Sequence, residues 1–146
     1  MVNNLTTNIQ KLSLRNLQSL RDQHIGTLVV RCSKIKVLDL RHTEVGNSSL
    51  AYIVNQLKGT LEEVDVSLTG INFDKLLELK TMTKLKILTC LHLNCQQFDV
   101  LKNILPRILI NEELFSVIGG PNEFNQFSIW EVRADQTDLF EDNEQF

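Results

Sequence analysis

The chain repeats itself at a nearly fixed interval. Ile9, Leu12 and Leu14 recur 26 residues later as Ile35, Leu38 and Leu40, and 26 later again as Leu61, Val64 and Val66. A shift of 24 then gives Leu85, Leu88 and Cys90. In each trio the last two residues are spaced by two, which puts them on one face of a short strand. Between the trios a second pattern runs at spacings of three and four. Ile25, Leu28 and Cys32 match Leu50, Ile53 and Leu57, and Leu76 and Leu79 follow. That is the apolar stripe of a helix. Asn47, ahead of Ser48 and Ser49, is the expected N-cap of the second helix, and Gly70 falls in the third strand-to-helix turn.

Strand, turn, helix and return, repeated in register, predict an α/β solenoid of about four units. The strands form one parallel concave sheet and the helices lie outside. The pattern breaks up after the fourth strand. LTCLHLNCQQFDVLKNILPRILI reads as a strand, a helix from about Gln96 to Leu105 stopped by Pro106, and a last strand over Ile108–Ile110. The solenoid is thus assigned to residues 1–110. Residues 111–134, with Phe115, Val117, Ile118, a GGPNEFNQF loop and then Phe127, Ile129, Trp130 and Val132, are expected to cover its C-terminal end. Residues 135–146 read as an acidic, disordered tail. Residues 1–8 carry little apolar material, so the first unit is expected to have one open side, and the isolated chain to self-associate or to be only marginally stable.

The units resemble leucine-rich repeats, and more narrowly the cysteine-containing type of F-box/leucine-rich-repeat proteins. That type runs C-x-x-L-x-x-L-x-L-x-x-C-x-x-I-(T/S)-D-x-x-L-x-x-(L/I). The second unit supplies Cys32, Ile35, Leu38, Leu40, Thr43, Val45, Leu50 and Ile53. Thr43 stands at the second cysteine, and Leu17 and Thr69 take that place in the flanking units. The resemblance covers residues 5–95. It implies a protein-interaction module, the substrate-recognition repeats of a ubiquitin-ligase receptor. No F-box of the family's usual kind precedes the repeats, so cullin-type ligase components are implied only if an F-box is supplied elsewhere. The alternative is a free-standing leucine-rich-repeat scaffold or complex-assembly factor.

Charge is unevenly placed. Residues 1–110 hold fourteen Lys/Arg against nine Asp/Glu, whereas residues 111–146 hold one against nine, for a net charge of -3. An acidic balance without a continuous basic stripe argues against nucleic acid. No run of apolar residues is long enough for a membrane span. The start, MVNNLTTNIQK, lacks a signal-peptide pattern, and three cysteines in such a chain point to a reducing compartment, cytoplasm or nucleus.

Alternation along the strands sends the residues between the buried ones out from the sheet. They form three rows: Lys11, Val37, Glu63 and Ile87; Ser13, Asp39, Asp65 and Thr89; Arg15, Arg41, Ser67 and Leu91. The expected protein-binding residues on this concave face are Arg15, Asp39, Arg41, Glu63, Asp65 and Leu91. Arg15 and Arg41, neighbours in one row, are expected to grip an acidic or phosphorylated segment by paired hydrogen bonds. Cys90-x-His92-x-x-Cys95 offers three metal ligands where zinc wants four, and Cys90 falls on a core position, so no metal is expected. No phosphate loop, G-x-S-x-G or H-E-x-x-H occurs. The chain is expected to be no enzyme and to need no cofactor.

Overall fold

A computed structural model describes residues 5–112 and the backbone of 132–133. Strands and helices alternate: β1 Lys11–Ser13, α1 Asp22–Arg31, β2 Val37–Asp39, α2 Asn47–Leu57, β3 Glu63–Asp65, α3 Phe73–Leu76, β4 Ile87–Thr89, α4 Cys95–Ile104 and β5 Leu109–Ile110. Val132–Arg133 forms β6. Among the described residues the sheet has the order β5-β4-β3-β2-β1-β6 and every pairing is parallel. The register follows the sequence shifts: Leu12 pairs with Leu38, Leu38 with Val64, and Val64 with Leu88. Consecutive parallel neighbours, joined with the right hand that such crossovers favour, place the described helices on one face.

That face is the core. Leu12, Leu14, Ile35, Leu38, Leu40, Leu61, Val66, Leu88 and Cys90 are at most 1% exposed, together with the helix residues Ile25, Leu28, Leu50, Ile53, Leu57, Leu76 and Leu79. Each large side chain so buried stabilises the fold by about 1.5–3 kcal/mol before entropy is counted. Cys32 closes the α1 stripe from the C-cap position and is fully buried, which raises its thiol pKa. The helices differ more than their stripes suggest. α2 runs eleven residues, but α3 gives way after four to a 3-10 turn over Leu77–Thr81.

Side chains tie each unit to the next. Asp22 Oδ1 accepts from Gly46 N–H at 2.7 Å and from Ser49 Oγ–H at 2.6 Å. Asn47 does not cap its own helix, whose N-cap is Gly46; its Oδ1 accepts instead from Asn72 N–H one unit on, at 2.9 Å. Gly46 and Gly70 form a parallel bridge, and a Cβ on Gly70 would meet Val45 O at 3.1 Å, a tight contact that favours glycine there. Beyond the strands, Asn16 N–H donates to Arg41 O and His42 N–H to Ser67 O. At the third joint, where the repeat shortens to 24, the acceptor changes. Leu68 N–H donates to His92 Nδ1 at 3.2 Å, which leaves Nε2 to donate to Ile71 O at 3.2 Å.

The N-terminal expectation needs correction. Leu5 is buried, Leu5 O accepts from Arg31 Nε, and Thr6 O accepts from Cys32 Sγ. Lys34 Nζ donates to Asn8 Oδ1. Residues 5–8 thus repeat, one period earlier, the turn that closes the later units. The outer edge of β1 is not open either, because Leu12 and Ser13 pair with Val132 and Arg133. The expected C-terminal cover and acidic tail, apart from 132–133, lie outside the described residues. Those two residues pair at the edge opposite β5.

Candidate functional site

The helix-free face carries the three rows, but the middle one is not open. Ser13, Asp39, Asp65 and Thr89 are 2–4% exposed, against the expectation that alternation would leave them in solvent. Asp39 and Asp65 pair directly across β2 and β3. Each aspartate closes the turn at the end of its own strand: Asp39 Oδ1 accepts from Arg41 N–H at 3.0 Å, and Asp65 Oδ1 from Ser67 N–H at 2.8 Å. Such two-residue closures are what Asp does well at a strand end. Ser13 Oγ–H donates to Asp39 Oδ2 at 3.3 Å.

Arg41 lies between the two carboxylates. Its Nη2 is 3.6 Å from Asp39 Oδ2 and its Nε 3.7 Å from Asp65 Oδ2. These are ion pairs too long for hydrogen bonds. Among the described residues, Arg41 Nη2 and Asp65 Oδ2 are buried without a hydrogen-bond partner. Burial pushes the Asp39 pKa up, the Asp65 charge pushes it further, and Arg41, with Arg15 behind it, pulls back only in part. Arg15 and Arg41 are therefore not two cations waiting for an anion. Arg41 is engaged by the face itself, while Arg15, half-buried, adds to the field at Asp39. Glu63, the first residue of β3, is half-buried.

The rim at the carboxyl ends of the strands is the reverse. Leu91 is 46% exposed, and its N–H donates to Ser67 Oγ at 3.1 Å, one residue before Leu68. Leu68 is 48% exposed and has φ 55. The left-handed region suits Asn and Gly and costs other residues about 1–2 kcal/mol. Asn16 and His42 occupy the matching places, with φ 66 and 59. Leu68 was missed from sequence, although an apolar residue 26 positions after His42 and 52 after Asn16 is a visible break in that column.

Cys90 is buried, and burial, with the Asp65 charge behind it, pushes its thiol up to about 12. Its Sγ lies 3.6 Å from His92 Nε2, while Cys95 is exposed at the start of α4. Among the described residues no three His, Cys, Asp or Glu converge as metal ligands. No described helix is long and apolar enough to cross a membrane. No protein-family model matches the chain, and no curated protein matches it.

Proposed function

We propose that the chain is a leucine-rich-repeat solenoid of about four units that binds a protein partner along the strand-end rim of its helix-free face. The observation that carries this is the Leu68–Leu91 pair. Two leucines are exposed just beyond the ends of neighbouring strands, one of them in a backbone conformation that costs free energy and returns no burial within the described residues. Arg15, Arg41, Asp39, Asp65 and Glu63 set the polar field behind that rim. By the resemblance of its units, the partner is a substrate of a cullin-type ubiquitin ligase, met in the cytoplasm or nucleus.

Leu68→Asn tests the reading. Asn tolerates the left-handed conformation, so the fold should hold while the apolar contact goes. Quantitative affinity purification with parent and variant should show one set of proteins lost from the variant. A cullin and its adaptor within that set support the ligase role, and a single stable complex without them supports a scaffold. Identical recovery by both chains would remove the rim from consideration.

A further inference from the structure

The repeat breaks at one apolar position. Leu12, Leu38, Val64, Leu88 and Ile110 pair in one register across β1 to β5. Three residues before them stand Ile9, Ile35, Leu61, Leu85 and Arg107. The first four are buried, whereas Arg107 is exposed. Where Arg107 replaces the apolar plug, a cavity of about 420 Å³ opens between the third and fourth units. Small-ligand pockets measure about 300–1,000 Å³. Buried Leu79, Met82, Leu85, Leu105 and Ile108 line it, and with them Ile104, which is 38% exposed. Lys80 reaches it from the 3-10 turn of the third unit, and Arg107 from the return into β5. Among the described residues its lining holds no acid, and neither cation has an ion-pair partner. Thr81 and Thr83 line it too, but their hydroxyls donate to Glu78 O at 2.9 Å and to Lys58 O at 3.1 Å. The side-chain donors left for a ligand are those of the two cations.

We propose that this cavity binds a small amphiphilic carboxylate, its alkyl chain against the leucine and isoleucine walls and its carboxylate held by Lys80 and Arg107. Apolar walls favour an alkyl chain whatever its head group. The cations decide the head group, since a carboxylate accepts charge-assisted hydrogen bonds from both. The larger groove between α1 and α2, about 940 Å³, lacks this combination. Its one charged lining residue among those described is Arg31, whose Nε already donates to Leu5 O. A ligand in the smaller cavity touches the third and fourth units at once, so its binding stabilises the folded chain. The site lies at the amino ends of the strands, away from the rim, and does not rest on the proposed function.

The experiment titrates octanoate into the full chain, followed by amide NMR and by melting. Acetate, which lacks the chain, and octanol, which lacks the charge, are the controls. Octanoate should bind saturably, shift the amides of Lys80, Thr83, Arg107 and Ile108, and raise the melting temperature. Acetate and octanol should each bind about tenfold more weakly or worse. Lys80 and Arg107 are exposed, so the double variant Lys80→Gln, Arg107→Gln should keep the fold, checked by circular dichroism, and lose about tenfold in octanoate affinity. If the double variant unfolds, the two single variants carry the same comparison, with a smaller loss in each. Octanol binding as tightly as octanoate, unchanged affinity in the variants, or no saturable binding would each overturn the proposal. So would shifts centred on Gly26 and Tyr52, which would place the ligand in the other groove.

Discussion

The middle row of the helix-free face and its strand-end rim invert the usual division of labour. The row holds two aspartates and buries them; the rim holds two leucines and exposes them. The buried aspartates are explained locally, since each closes a turn and Arg41 offsets part of their charge. Nothing local explains the leucines. Leu68 gains neither burial nor a favourable backbone. Polarity on this face thus follows turn geometry at the centre, and at the rim it fits the partner contact proposed above.

The largest expected effect fixes the side of the sheet from which the comparison is made. Leu38→Ala should cost about 2–5 kcal/mol in chemical denaturation, because Leu38 points into the helix-covered core and truncation leaves a cavity. A loss below that range would mean that the helix side is the loosely packed one.

Arg41→Met comes next and tests the middle row. It leaves two buried carboxylates without their cation and should cost about 1–3 kcal/mol near neutral pH. The deficit should shrink on acidification. Folded Asp39 holds its proton more tightly than unfolded Asp39, so protonation favours the fold. That contribution is fully present below the unfolded value of 3.8 and is lost as pH rises through the higher folded value. A deficit that does not change with pH would show that Arg41 acts by packing alone.

At the rim, Leu68→Asn should raise stability by up to about 1 kcal/mol, since it relieves left-handed strain at an exposed position. Destabilisation would mean that Leu68 packs within the chain, and the contrast between row and rim would collapse.

The smallest effect sets a reference for buried polar groups away from this face. His24 is buried, and its Nδ1 accepts from Arg21 N–H at 2.9 Å. Burial lowers its pKa, and the Arg21 charge lowers it further. Its contribution is present above the unfolded value of 6.5 and is lost as pH falls from there through the folded value. His24→Gln keeps a capping acceptor at the third helical position and should flatten that part of the profile of melting temperature against pH. An unaltered profile would place the titration elsewhere.

The sheet was legible because its signal is redundant. Leu12, Leu38, Val64 and Leu88 each announce the same register, and a mistake at one would be corrected by the others. α4 and β5 were placed within a residue or so of their observed bounds, because Pro106 leaves little freedom. Asn47 misled, since capping preference says that a side chain caps but not which helix it reaches. The middle row misled for a related reason. Alternation assigns a side of the sheet, whereas exposure depends on what lies over that side. The apolar pattern marks core positions and so passes over Leu68, whose place in the column of Asn16 and His42 is a backbone property.

His92 carries a last implication. At the first two joints Asn16 and His42 donate to main-chain carbonyls, which every residue type supplies, whereas at the last one Cys90 N–H donates to the Asn111 side chain. At the joint between the third and fourth units the acceptor is an imidazole. A single codon change at position 92 therefore removes one contact of that joint, while Val66 N–H to Thr89 O and Leu91 N–H to Ser67 Oγ remain. Drift or selection at position 92 could loosen the last unit from the rest while leaving every apolar repeat position intact, and the neighbour it would loosen is Leu68.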